Sequence, residues 1–427
     1  MSAPASPAVV SGPRALRLVA LGALVGLPAA LAAALFFAVI HELEDWLWHD
    51  LPRHLDASAP PWYLVLGLPL VGASLVLAAR RFLPGDGGHE PLDGISVEPT
   101  AFSYAPGVAL AGIGTLAFGA VLGPEAPLIA LGSAVGVGVA ALARLDAQDG
   151  KILSTAGSFS AISALFGGPL VAGMLLLEAG IGLGAAVIPL LIPGLVAASI
   201  GYLIFVGFGD WGGLDATALS VPGLPAYEGV HFGDLAIAVG VGVAMALLIE
   251  AVQRLATRGA GPGRARIGMP ALLLVGALAI GALALLADAL GASSQDVLFS
   301  GQVSIPSLLA EESARIVLVL IAAKALAYAI CLGCGFRGGP VFPAIFLGIG
   351  LTTLTVIAFD LSPTLAVAIG TAAGTAAATR LLFASILLAG LLVGTAGPDA
   401  IPAAALSAVA AWLTAAAIDQ RFPRPAT

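Results

Sequence analysis

The stretch GPEAPLIALG at Gly123 to Gly132 is written again, with four changes, as GPVFPAIFLG at Gly339 to Gly348. Gly, Pro, Pro, Ile, Leu and Gly recur at the same places, and the offset, 339 − 123 = 216, is about half of the 427-residue length. A second pair, AGMLL at Ala172 to Leu176 and AGLLV at Ala389 to Val393, is spaced by 389 − 172 = 217. Such spacing calls for two copies of one structural unit. Only the first copy of the decapeptide carries a charge, Glu125.

The medium in which the copies fold is set by composition. Hydrophobic residues make up 59% of the chain and charged ones 10%, where soluble proteins carry roughly a quarter charged, and the mean hydropathy is +1.05. Apolar runs at Leu16 to Ile40, Trp62 to Ala79, Leu235 to Ile249, Ala271 to Ala287 and Ile316 to Cys331 approach the roughly 20 residues that cross a bilayer as a helix. The expected fold class is therefore an all-α integral membrane protein, with the lipid bilayer as its surroundings. The run from Leu16 exceeds a signal-peptide core and lacks a cleavage site before His41, so it reads as the first membrane helix. Only 17 Lys and Arg, in no dense run, argue against nucleic acid as a partner. Cys331 and Cys334 form a lone CxxC with no second pair or nearby His, which points to packing; no metal site and no cofactor is expected.

Orientation follows from arginine, which gathers at cytoplasmic helix ends. Arg14 and Arg17, Arg80 and Arg81, the Arg254 to Arg266 loop, and Arg421 with Arg424 then lie inside, with HELEDWLWHDLPRH and Gly207 to His231 outside. The helix near residue 16 leaves the cytoplasm, whereas its shifted counterpart near 232 enters it, so the repeat is inverted. The expected organisation is a cytoplasmic N-terminus at 1–15, a first membrane repeat at 16–207, an extracellular linker at 208–231, a second repeat at 232–420 and a cytoplasmic tail at 421–427. Both termini are cytoplasmic in a multi-pass protein of the plasma (inner) membrane. No soluble regulatory domain is expected, since the segment after Arg421 is too short for one. Inverted repeats place a substrate site near the midplane, where broken helices point their ends at it. That is a transport architecture.

Each decapeptide describes a buried helix start. Pro fits a first turn, where no intrahelical N–H bond is lost, and Gly admits close backbone approach. The free N–H groups and the positive dipole end attract anions. Two such ends from opposite faces make an anion site without a full positive charge, which would bind too tightly for passage. Glu125, in the first of these turns, competes with an anion for the same N–H groups and reads as a gate that protonation can switch.

These residues resemble the CLC family of chloride channels and proton-coupled chloride transporters. VLGPEAP at Val121 to Pro127 resembles the family's GxEGP signature, with Glu125 at the gating position and Ala126 in place of a Gly. SALFGGPLVAGMLLLE at Ser163 to Glu178 resembles PLAGxxFxxE, and KALAYAICLGCGFRGGPVFP at Lys324 to Pro343 resembles the K…SGxxGGxFxP region. GGHEP at Gly87 to Pro91 stands where the family has GSGIP. The resemblance spans roughly residues 16 to 420 and implies a CLC-like inverted repeat of tilted and re-entrant helices, assembled as a homodimer. It implies anion binding at Gly88, Gly123, Ala126, Gly339, Val341 and Phe342, and a divergent bacterial-type member without a C-terminal regulatory domain.

The departures bear on mechanism. Gly88 replaces an anion-coordinating Ser, so a backbone N–H would have to serve. Val341 replaces a Phe, with Phe342 one place later, and no Tyr follows Tyr328 to match the family's C-terminal anion-coordinating one. Ala179 stands where many proton-coupled members have a second Glu. A proton path, if kept, would use Glu125 with Glu90, His89 and Glu178. Lys324 is expected either to draw anions into a vestibule or to snorkel to the interface. The expected function is movement of a small monovalent anion, chloride first. The alternatives are an anion/proton antiporter, fluoride export included, and a non-conducting membrane scaffold. No motif of an enzyme is found.

Overall fold

A computed structural model describes residues 12–94, 98–179, 187–207, 212–214 and 219–422. Of the expected terminal segments, residues 1–11 and 423–427 lie outside the described residues, as do 208–211 and 215–218 of the linker. The principal helices are α1 (Pro13–Asp45), α2 (Trp62–Phe82), α3 (Ala105–Leu116), α4 (Glu125–Leu142), α5 (Ala147–Leu165), α6 (Pro169–Ala179) and α7 (Val187–Val206) in the first half. In the second are α8 (Phe232–Gly259) and α9 (Gly261–Ala289), then α10 (Ala314–Gly333), α11 (Val341–Phe359), α12 (Pro363–Thr379), α13 (Leu382–Val393) and α14 (Ile401–Arg421). Nine helical spans among the described residues are long and apolar enough to cross a membrane. No strand occurs among those residues; the one extended pairing is an isolated bridge between Gly123 and Gly339.

The helix starts repeat with the sequence. Helix α11 begins 341 − 125 = 216 residues after α4, α12 begins 363 − 147 = 216 after α5, α13 begins 382 − 169 = 213 after α6, and α14 begins 401 − 187 = 214 after α7. Close packing within each copy rests on matched glycines. Gly132 lies against the Gly157 carbonyl in the first, and Gly348 against the Gly370 carbonyl in the second. A methyl group at any of these would strike backbone. Small residues therefore set the helix separation, as membrane helices require.

One expectation is corrected. The Arg254 to Arg266 stretch is helical rather than a loop, and the chain stays helical from Phe232 to Ala289 apart from Gly268. Arginine favours helix, and Arg254 pairs with Glu250 one turn back at 2.6 Å. The break falls where glycine supplies a φ of 77°.

Candidate anion site at two opposed helix ends

Helices α4 and α11 start in the same way. Pro124 and Pro340 are their N-cap residues, and Pro127 and Pro343 occupy their first turns, where no amide hydrogen is missed. The loops that lead into them meet. Gly123 N–H donates to the Gly339 carbonyl at 2.8 Å, and Gly339 N–H returns the bond to Gly123 at 2.7 Å. This reciprocal pair joins residues at the repeat offset, so the local symmetry axis passes between them.

Glu125 lies across that axis. It is fully buried, and its Oε1 accepts the N–H of Val341 at 2.5 Å. Since 341 − 125 = 216, the carboxylate of the first copy sits on the backbone donor of its own counterpart in the second. The charge thereby rests at the positive end of α11. Its other oxygen, Oε2, has no hydrogen-bond partner among the described residues. Glycine opposite leaves the carboxylate this place, because a Cβ at Gly123 or at Gly339 would collide with it.

The structure redistributes the expected ligands. Gly123 and Gly339 are at the centre, but their N–H groups are spent on each other and cannot serve an anion. Gly88 N–H donates to the Gly85 carbonyl at 3.0 Å, closing a turn in which Gly85, Asp86, Gly87 and Gly88 all have positive φ, so it too is committed. Ala126, Val341 and Phe342 remain as first-turn residues of the two helices, whose N–H groups have no intrahelical partner. Phe342 is buried and stacks on Phe166, with centroids 6.1 Å apart.

The expected proton carriers are dispersed. Glu178 gives both oxygens to the start of α13, accepting from Leu382 and Phe383 at 2.8 Å and from Ala384 at 2.7 Å. It is a cap between helices. Glu178→Gln removes the charge from this cap, and a loss of about 1–2 kcal/mol in stability is expected, read as a lower thermal unfolding temperature in detergent. Glu90 is held by Arg264 at 2.8 and 2.9 Å and lies 3.9 Å from Arg337. His89 is half-buried in the same loop. Lys324 is neither in a vestibule nor at an interface. It is fully buried, and its Nζ donates to the carbonyls of Asp296, Val297 and Leu298.

Arg337 escaped the sequence reading. Only 2% exposed, it bonds Asp86 through Oδ2 at 2.5 Å and through the carbonyl at 3.1 Å, while Arg80 holds the same carboxylate at 2.9 and 3.0 Å. These pairs pin the 85–90 loop beneath the approach to α11. A cavity of about 220 Å³ opens beside it, lined by Asp93, Gln253, Tyr328, Leu332, Pro340 and Arg380 among others. Polar groups thus lead from the loop face to the N-cap of α11.

With opposed helix ends and a buried carboxylate between them, the family match decides the assignment. Residues 89–416 match the model of the voltage gated chloride channel family, Voltage_CLC. The chain belongs to the CLC family. Among curated relatives, this CLC chain is 28% identical over 350 residues to the protein named "Putative ion-transport protein YfeO" of Escherichia fergusonii, with 77% of the chain and 76% of the relative covered. It is 29% identical over 341 residues to the protein of the same name in Escherichia coli O139:H28, with the same shares covered. Among solved structures, it shares the CLC fold with a slow cyanobacterial Cl−/H+ antiporter at TM-score 0.77 and 17% identity, covering 96% of each chain. A CLC-type fluoride/proton antiporter superposes at 0.68 and 20% identity, covering 95% of this chain and 96% of that one.

Proposed function

We propose that the protein moves small monovalent anions, chloride foremost, across the membrane along a path through the N-termini of α4 and α11, with Glu125 as its gate. The observation that carries this is the Glu125 carboxylate on Val341 N–H. A carboxylate is itself an anion, and the donor that holds it is the one a transported anion would use, with those of Ala126 and Phe342. Occupancy by Glu125 therefore excludes the ion, and protonation or outward swing of Glu125 admits it. Chloride, fluoride, bromide and nitrate flux from liposomes, with Glu125→Gln and Glu125→Ala beside the native protein, tests the reading. Native protein that moves none of these ions would leave it a non-conducting membrane scaffold.

Proton-coupled exchange, fluoride export included, is the second form of the same reading, favoured by the antiporters among its solved neighbours. Ala179 weighs against an inner carboxylate on the usual route, and Glu178 is occupied as a cap. Reversal potential separates the two forms: a channel reverses at the anion's Nernst potential, an exchanger shifts with the pH gradient. The reading also includes two repeats at 16–207 and 232–420, a homodimer, and placement in the inner membrane with both termini cytoplasmic. Arg80 with Asp86, Arg264 with Glu90, and Arg254 with the Phe422 carbonyl at 2.8 Å draw the arginine clusters of both halves to one face, as the positive-inside rule asks of a cytoplasmic surface.

A further inference from the structure

Helix α10 is apolar and buried, yet carries three groups at spacings of four and three residues: Lys324, Tyr328 and Cys331. Residues at i, i+4 and i+7 share one face of a helix. All three are fully buried, and each is committed to the backbone of a loop near the anion site. Lys324 holds the carbonyls of residues 296–298, and the next residue, Phe299, donates its N–H to the Gly119 carbonyl at 3.2 Å. The Tyr328 hydroxyl donates to the Pro340 carbonyl at 2.9 Å. Cys331 Sγ accepts the Val121 N–H at 3.1 Å. One helix face therefore grips both loops whose glycines bridge at Gly123 and Gly339.

We propose that this stripe is the positioning device of the anion site, with Tyr328 fixing the donor end of α11 and Cys331 fixing the loop that carries Glu125. The two grips differ in strength. A phenolic O–H to a carbonyl is a full hydrogen bond, whereas sulfur is a weak acceptor. The α11 end is held firmly and the Glu125 loop compliantly, which suits a fixed receptor facing a carboxylate that must leave it. Buried Val121 N–H needs an acceptor, and the thiol is the least restraining one available. This role rests on the transport reading above.

A double-mutant cycle tests it. Cys331→Val fills the thiol's volume without accepting a hydrogen bond, and Cys331→Ser retains an acceptor. Cys331→Val is expected to raise chloride flux at neutral pH by about threefold or more where Glu125 is intact, and to change nothing in the Glu125→Gln background. Cys331→Ser is expected to stay near native in both. Amide exchange of the 117–124 segment should quicken in Cys331→Val and not in Cys331→Ser. Tyr328→Phe should instead shift the bromide-to-chloride flux ratio in both backgrounds, because it moves the donors and not the gate.

Equal effects of Cys331→Val in the two backgrounds, no effect in either, a Cys331→Ser variant as altered as Cys331→Val, or an unchanged ion ratio in Tyr328→Phe would overturn the assignment. A Cys331→Val protein that fails to fold while Cys331→Ser folds would likewise reduce the thiol to a structural contact. Native protein that moves no anion sinks the transport reading alone, since the exchange rates still report whether Cys331 holds the loop.

Discussion

Glu125→Gln is expected to raise anion flux at neutral pH by about 10- to 100-fold. The estimate comes from one charge-assisted hydrogen bond, roughly 1.5–3 kcal/mol, with a tenfold change for each 1.36 kcal/mol or so. In the native protein the Glu125 carboxyl group occupies Val341 N–H. Gln is neutral and lacks the charge that α11's dipole holds. The sign of the pH dependence follows: protonation discharges the native gate, so native flux rises as pH falls. Glu125→Gln is neutral at every pH, so its flux is high and flat. Liposome efflux recorded from acid to neutral pH on both proteins checks the two curves together. Equal native and variant flux at neutral pH would remove Glu125 from the path.

Gly339→Ala is expected to unseat the Glu125 side chain and to block the anion that would replace it, so that it does not reproduce the rise in flux of Glu125→Gln. A Cβ at Gly339 would fall within the Glu125 carboxylate and its Cγ. Gly339 is absent from the positive-φ glycines, so alanine meets no backbone strain there. What has to yield is a side chain, and a glutamate can turn away where a helix cannot. The variant should fold, keep the Gly123–Gly339 exchange, and show flux well below that of Glu125→Gln, because the new methyl lies where the carboxylate, and in its place the anion, would rest. Adding Glu125→Gln to it should bring no rise, because the methyl fills the seat whichever side chain faces it. Gly339→Ala with native flux and native pH dependence would mean that the carboxylate does not rest where the anion passes.

Much of this arrangement was legible in the sequence because it is written twice. The repeat offset, the helix starts at GPxxP and the lone charge at Glu125 need only local chemistry and a count of residues. The consumption of the Gly123 and Gly339 N–H groups was not legible, since an exchange between backbones 216 residues apart leaves no mark on side-chain pattern. The commitment of the Gly88 N–H was not legible for a related reason: its turn closes on its own backbone. Charge suggests a vestibule or interface for Lys324 and the motif match a proton path for Glu178, whereas each is held by backbone groups of a neighbouring segment. A signal for the stripe did exist. Lys, Tyr and Cys at helical spacing in an otherwise apolar run mark a face that has polar partners. Arg337, immediately before the second GGP, was likewise visible as a full charge beside the start of α11, though its partners Asp86 and Glu90 come from the other half of the chain.

The most direct test of the central claim is anomalous diffraction from crystals of the Glu125→Gln protein grown in bromide. A bromide peak at the N–H groups of Val341 and Phe342, where the native carboxylate lies, is the predicted result. Bromide absent from that position, with ions bound only elsewhere along the chain, would contradict it.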